Sequence, residues 1–184
     1  MPALETTPIK LGFSAPYFAL PNVVTGQVQN LETLKGQIAT VIMFICNHCP
    51  YVKHINSGLV TLANEFIPKG IGFVAINSND IVKYPDDSPQ KMAQIALEHQ
   101  YPFPYLFDET QQTARDYFAA CTPDFSIFDA DLYCVYRGQL DDSRPGNALP
   151  ITGNDIRQVL QALLQGLPVS NVQKPSIGCS IKWK

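Results

Sequence analysis

The chain reads as an α/β domain with a mixed central sheet and helices on both of its faces. Residues 39–45 form an apolar run that feeds a helix, on which Val52, Ile55, Leu59, Leu62 and Phe66 recur at steps of three and four. A second apolar run, 71–76, follows that helix, giving the right-handed strand–helix–strand unit of a parallel sheet. Farther on, 125–128 and 132–137 flank the turn Asp129-Ala130-Asp131 as an antiparallel hairpin would. Parallel and antiparallel pairings together make the sheet mixed.

Each element follows from its own pattern. Residues 1–15 are punctuated by proline and poorly periodic, which suits an arm lying over the surface. Residues 15–21 and 23–28 are short extended segments about a turn. The run 39–45 is rich in branched residues and suits a strand covered on both faces. A polar, proline-bearing stretch, 77–89, leads to a helix with Met92, Ile95, Ala96 and His99 along one side. Residues 105–107 read as a strand, 110–120 as a short helix, and Cys121-Thr122-Pro123-Asp124 as the turn into the hairpin. The last helix carries Ile156, Val159, Leu160, Leu163 and Leu164, and Gly166 and Pro168 stop it. In the tail, 168–184, Ile177, Cys179, Ile181 and Trp183 alternate with small or charged residues, as in a half-buried strand. The tail is expected to pack on the rest of a single domain spanning 1–184, with Trp183 as its anchor.

Composition excludes several classes of function. A net charge of −3 lacks the basic footprint of a nucleic-acid binder. No Lys/Arg run marks a membrane surface, and no apolar stretch approaches the ~20 residues needed to span a bilayer. The opening Met1-Pro2-Ala3-Leu4-Glu5-Thr6-Thr7 lacks the basic and apolar regions of a signal peptide, so a cytoplasmic location is expected. In that compartment a pair of close cysteines points to catalysis or metal binding, and five cysteines is an odd number for a set of staples. There is no Gly-rich phosphate loop and no Gly-x-Ser-x-Gly elbow. Asp141-Asp142 reads as part of a solvated loop rather than a catalytic pair.

Cys46-Asn47-His48-Cys49 sits at the junction of the first buried strand and its helix. Two thiols at that spacing close a small disulfide ring or hold a soft metal. Cys46 is expected near the helix N-terminus, where unpaired backbone N–H groups and the helix dipole favour a thiolate. His48, between the thiols, should lower the Cys46 pKa further from its free value of ~8.5. Cys46 is thus expected to be the more exposed and more acidic thiol, with Cys49 resolving. Copper or zinc held by Cys46, Cys49 and a His or Cys121 is the alternative that the donor chemistry allows. A zinc site normally has four ligands in a recognisable second pair, and no second Cys-x-x-Cys occurs. Pro50, directly after Cys49, excludes a haem-attachment motif. Cys121 and Cys134 read as buried small hydrophobes. Cys179 is either a further resolving thiol or a buried inert one.

With the paired cysteines at a strand–helix junction and Thr122-Pro123 ahead of a hairpin, the chain from about 15 to 166 resembles the thioredoxin superfamily. More narrowly, it is similar to peroxiredoxin-like redoxins of the alkyl hydroperoxide reductase/thiol-specific antioxidant type. The resemblance implies a thioredoxin-like fold. It also implies a cis Thr122–Pro123 bond against the thiols, with the Thr122 backbone available to pair with an extended substrate and Pro123 keeping metal ions away. The implied site is Cys46, His48, Cys49, Thr122 and Pro123, with no cofactor or metal. The implied partners are protein or small-molecule disulfides or peroxides, together with a thiol reductant.

The departures are specific. Ile45 stands where thioredoxins carry Trp, and Asn47-His48 replaces Gly-Pro. A His in that slot is similar to protein disulfide isomerases, whose disulfides are more oxidising. The strand before the motif carries no carboxylate. The peroxiredoxin pattern Pro-x-x-x-Thr-x-x-Cys fits neither register: Cys46 is preceded by Ala39 and Met43 at those places, and Cys49 by Ile42 and Cys46. Cys49-Pro50 does resemble the Cys-Pro of peroxiredoxin sites. Dithiol–disulfide exchange is the expected activity, with thiol peroxidase as the alternative.

Overall fold

The computed structural model describes residues 3–184; Met1 and Pro2 of the expected arm lie outside the described residues. The elements in chain order are β1 Leu4–Glu5, β2 Ala19–Pro21, β3 Val28–Asn30, α1 Leu31–Leu34, β4 Ala39–Phe44, α2 Pro50–Phe66, β5 Ile71–Asn77 and α3 Pro89–Glu98. They continue with β6 Tyr105–Phe107, α4 Gln112–Asp116, β7 Cys121–Thr122, β8 Asp124–Asp129, β9 Cys134–Gly138, α5 Asn154–Leu164 and β10 Ile177–Ser180.

All six residues of β4 are buried, which is why it takes the middle of a sheet ordered β6-β5-β4-β8-β9. β4 runs parallel to β5, with Ala39 opposite Ile71 and Phe44 opposite Ile76, and antiparallel to β8. β8 and β9 form the antiparallel hairpin. Because side chains alternate along a strand, β4 feeds two cores. Val41 and Met43 join Leu59, Leu62 and Phe66 of α2 and Ile156 and Leu160 of α5. Ile42 and Phe44 join Phe18, Tyr117 and Phe128 on the opposite face. Burying such side chains is worth ~1.5–3 kcal/mol each, so these two clusters hold the sheet between its layers. After α2, a short 3-10 turn ends at Gly70, whose φ of +87° lets the chain reverse into β5.

A second, three-stranded sheet is ordered β1-β10-β7. It lies beside the C-terminal end of β4 and ties the arm and the tail to the strand just before Pro123. β2 and β3 pair as a separate antiparallel ribbon.

Four expectations need correction. The helix expected over 110–120 covers only α4, because Phe118 adopts a left-handed φ of 54° that a right-handed helix does not tolerate. His99 is exposed and caps α3, whose buried side consists of Met92 and Ala96. Trp183 is 38% exposed, and the tail is anchored by Ile181, at 3%. The alternation lapses there because β10 ends at Ser180 and the Lys182 backbone turns to bond Asn79 and Asp80, leaving Trp183 under the Arg115 guanidinium. Finally, Asp141 is not solvated. It is buried and accepts the backbone N–H groups of Ser143, Thr152 and Gly153 at 2.9, 2.7 and 2.7 Å, whereas Asp142 is exposed and pairs with Lys174.

Candidate active site

β4 delivers the chain at Ile45 into a loop that ends where Pro50 starts α2. Pro suits the first helical position because its missing N–H would have no partner there. The N-cap residue is therefore Cys49, not Cys46. Cys46 sits three residues upstream, and this places the positive end of the helix at the second thiol of the motif rather than the first.

Both sulfurs converge on Thr122, which is followed by the cis Thr122–Pro123 bond. Cys46 Sγ lies 3.2 Å from Thr122 Oγ1, and Cys49 Sγ lies 3.1 Å from the Thr122 carbonyl oxygen. Cys179 Sγ, from β10, is 2.9 Å from Cys49 Sγ. Cys49 is thus the central sulfur of three. As a thiol it donates to the Thr122 carbonyl. As a thiolate it accepts from Cys46 and from Cys179.

The electrostatics follow from that arrangement. The hydrogen bond from Cys46 outweighs burial, and with the bonds from Cys179 and the Val52 amide it brings the Cys49 thiol down to about 5. The Val52 amide acts from the first turn without closing a side-chain cap bond. Cys46 is pushed up, first by donating to Cys49, then by burial and by the Asp87 carboxylate. Cys179 is pushed up to about 12 by burial and by its bond to Cys49. The expected order of acidity is reversed, and neither member of the motif is exposed: Cys46 is at 2% and Cys49 at 0%.

His48 does not bond a sulfur. Its Nδ1 lies 2.6 Å from Asp87 Oδ2, and its ring stacks on Tyr84 at 5.3 Å between centroids, 13° from parallel. The Asn47 amide N–H donates to Asp87 Oδ1 at 2.7 Å, its side-chain amide donates to the Asp86 carbonyl at 2.8 Å, and Tyr105 donates to its side-chain oxygen at 3.2 Å. Asn79 donates to Asp87 Oδ2 at 2.8 Å. Burial opposes the Asp87 charge, but the bonds from His48, Asn79 and the Asn47 amide prevail and hold its carboxyl below the usual range. The loop between the thiols is therefore clamped by one buried carboxylate.

Cys46, His48 and Asp87 each offer a ligand atom within 4.8 Å of the others. This is not the set expected from the donor chemistry, since Asp87 replaces Cys49 and Cys121. Cys121 turns its sulfur toward the Pro123 carbonyl at 3.5 Å, and burial pushes its thiol up. The imidazole and the carboxylate are already bonded to each other, which is the geometry of an oriented imidazole.

Asp87, Asn79 and Tyr84 all come from the stretch 77–89 and were not expected in the site. The one local signal there is Asp86-Asp87 before the helix, and nothing in it separates the exposed Asp86 from the buried Asp87. A substrate strand was expected beside Thr122, but that edge is taken by the chain itself: Cys179 lies opposite Thr122, and Ser180 opposite Cys121.

A clustered-thiol site at the end of a thioredoxin-fold sheet defines a redoxin, a protein of the thiol–disulfide oxidoreductase or peroxidase type. The model of the AhpC/TSA family matches residues 11–137, and the chain belongs to that family. Among solved structures, it is similar to an uncharacterized conserved protein from Geobacillus kaustophilus at 64% identity and TM-score 0.98, covering 100% of this chain and 97% of that one. It is similar to a hypothetical protein from Sinorhizobium meliloti 1021 at 40% identity and TM-score 0.95, over 98% of each chain. At 20% identity and TM-score 0.66, a putative thiol:disulfide interchange protein DsbE from Chlorobium tepidum shares the fold, over 85% of this chain and 99% of that one. No curated protein matches the chain.

Proposed function

We propose that this protein is a dithiol–disulfide oxidoreductase in which Cys49 is the attacking thiolate and Cys46 its partner. The observation that carries this reading is the position of Cys49, the N-cap residue of α2, with its sulfur 2.9 Å from Cys179 Sγ and 3.1 Å from the Thr122 carbonyl oxygen. The Cys49 thiolate attacks one sulfur of a substrate disulfide, and the other sulfur leaves as a thiolate. Cys46 then attacks Cys49 Sγ of the mixed disulfide, and the second substrate sulfur departs. The Cys49 thiolate and the Cys46 thiol become one disulfide, and of the two substrate thiolates one takes the Cys46 proton and the other a proton from solvent. Cys46, whose thiol is pushed up, needs a base for this step; His48, oriented by Asp87, takes its proton and hands it on. The substrate is a disulfide, a thiol reductant restores the dithiol, and the setting that fits paired, odd-numbered cysteines is the cytoplasm.

A thiol peroxidase is the second reading. It draws on the burial of both inner sulfurs and the occupied Thr122 edge, which favour a very small oxidant. In that case Cys49 becomes a sulfenic acid and condenses with a neighbouring thiol, releasing water. Single-turnover oxidation of the reduced protein, by a small disulfide and separately by hydrogen peroxide, with mass spectrometry of every cysteine, separates the two. The expected product is an intramolecular disulfide containing Cys49, formed faster by the disulfide. Faster reaction with peroxide, through a trapped sulfenic acid on Cys49, would transfer the assignment to the second reading.

A further inference from the structure

The third sulfur comes from the far end of the chain, beyond the residues that match the family model. β10 is held on both flanks of Cys179. On one side Ser176 Oγ donates to the Pro123 carbonyl at 2.6 Å, and the Ser176 amide donates to Thr6 Oγ1 at 3.0 Å. On the other, the Ile181 amide donates to Ala120 O at 3.1 Å and the Lys182 amide to Asn79 Oδ1 at 2.8 Å. Between them, Gly178 packs so closely that a Cβ would fall 2.0 Å from the Thr122 carbonyl oxygen. The glycine before the cysteine thus lets the strand reach the site at this depth.

The consequence is a row of sulfurs with graded access. Cys46 and Cys49 are buried, while Cys179 is partly exposed. Cys179 Sγ is 2.9 Å from Cys49 Sγ, less than 1 Å beyond the ~2.05 Å of a formed bond. Cys134, by contrast, donates to the Tyr136 carbonyl in the core.

Building on the dithiol reading above, we infer that Cys179 is the outlet of a three-thiol relay, which exchanges with the Cys46–Cys49 disulfide and presents it to the reductant as Cys49–Cys179. The Cys179 sulfur, as a thiolate, attacks Cys49 Sγ. The bond between Cys46 and Cys49 breaks as the new one forms, and the electron pair leaves on Cys46, which takes up the proton that Cys179 gave up. No net oxidation occurs and no co-reactant is consumed. A thiolate of the external reductant then attacks the accessible Cys179 Sγ, and Cys49 departs. A second reductant thiol releases Cys179, so that the reductant is oxidised to a disulfide. A thiol of low pKa is the better leaving group, which suits Cys49 for that departure.

The test uses the full chain, oxidised by one equivalent of a small cyclic disulfide, quenched in acid, alkylated, digested and sequenced by tandem mass spectrometry. We expect Cys49–Cys179 beside Cys46–Cys49 in the unmodified protein, and Cys49–Cys179 alone in Cys46→Ser. Gly178→Val keeps all three sulfurs but drives β10 from Thr122; it should lose the Cys49–Cys179 product and keep Cys46–Cys49. Cys46–Cys49 alone in the unmodified protein, with Cys179 fully alkylated, overturns the relay and leaves the dithiol reading standing. Absence of any intramolecular disulfide overturns both. The unmodified protein decides the case by itself should Cys46→Ser fail to fold.

Discussion

His48 and Asp87, 39 residues apart, share a 2.6 Å hydrogen bond between Nδ1 and Oδ2, and the Asp87 side chain is fully buried while His48 stays part-exposed. The carboxylate fixes which imidazole nitrogen carries the proton and which way the ring faces. It also holds the backbone of the motif, through the Asn47 amide. One buried acid therefore holds both the loop that carries the thiols and the imidazole beside them.

In the proposed dithiol exchange, Asp87 acts through His48 as a positioning residue. His48→Ala should slow disulfide exchange by ~10²-fold, the lower end of what a placed acid–base group contributes. Asp87→Asn should slow it less and shift the pH–rate profile, while the Cys49 titration persists. An unchanged profile in Asp87→Asn would leave the carboxylate with a purely structural role.

Acid stability carries a second signature of Asp87. Its carboxyl is held below the usual range, so the folded state binds that proton less tightly than the unfolded state, whose carboxyl titrates near ~3.9. The stability it confers is full above that value and disappears as pH falls through the lower folded value. Denaturant unfolding across the acid range should show this slope in the unmodified protein, and a flatter one in Asp87→Asn.

In the reduced protein, ultraviolet absorbance should report one thiolate with a midpoint of about 5. Cys49→Ser should remove that step, and Cys46→Ala should move it upward by deleting the strongest donor. The sign for stability follows: the contribution of Cys49 is complete above the unfolded thiol value of ~8.5 and is lost as pH falls through about 5. A first thiolate assigned to Cys46 would reverse the order of attack.

The anchor of the tail can be weighed directly. Ile181→Ala should cost ~2–5 kcal/mol in denaturant unfolding, as for other buried aliphatic truncations. Trp183→Ala removes a half-exposed ring and one guanidinium contact, worth ~0.5–1 kcal/mol. Equal costs would contradict the packing described for 181–184.

Where the sequence was legible, periodicity made it so. Val52, Ile55, Leu59, Leu62 and Phe66 are all buried on α2, and 105–107 is the strand β6. What periodicity cannot carry is which of two thiols meets the helix end, which depends on Pro50 opening the helix, or that Cys46 would lie within hydrogen-bonding reach of Cys49 and lower its pKa. Nor can it reveal Asp87, because a buried acid in a non-repeating connection looks like any polar loop residue until the chain folds over it. Alternation in 177–183 does mark a strand, but the neighbour of that strand, Thr122, lies more than fifty residues away and leaves no trace in the local pattern.

The order β1-β10-β7 also bears on self-association. A short strand with free N–H and C=O groups invites pairing by another chain, and β7 would be such an edge without β10 beside it. The tail covers one side of β7 from within, and the two outer strands of this sheet, Leu4–Glu5 and Cys121–Thr122, are only two residues each. Cutting the chain before Ile177 would remove the cover and leave the Cys121–Thr122 backbone open to strand exchange between molecules. The last residues therefore occupy backbone groups of β7 that would otherwise be open to another chain.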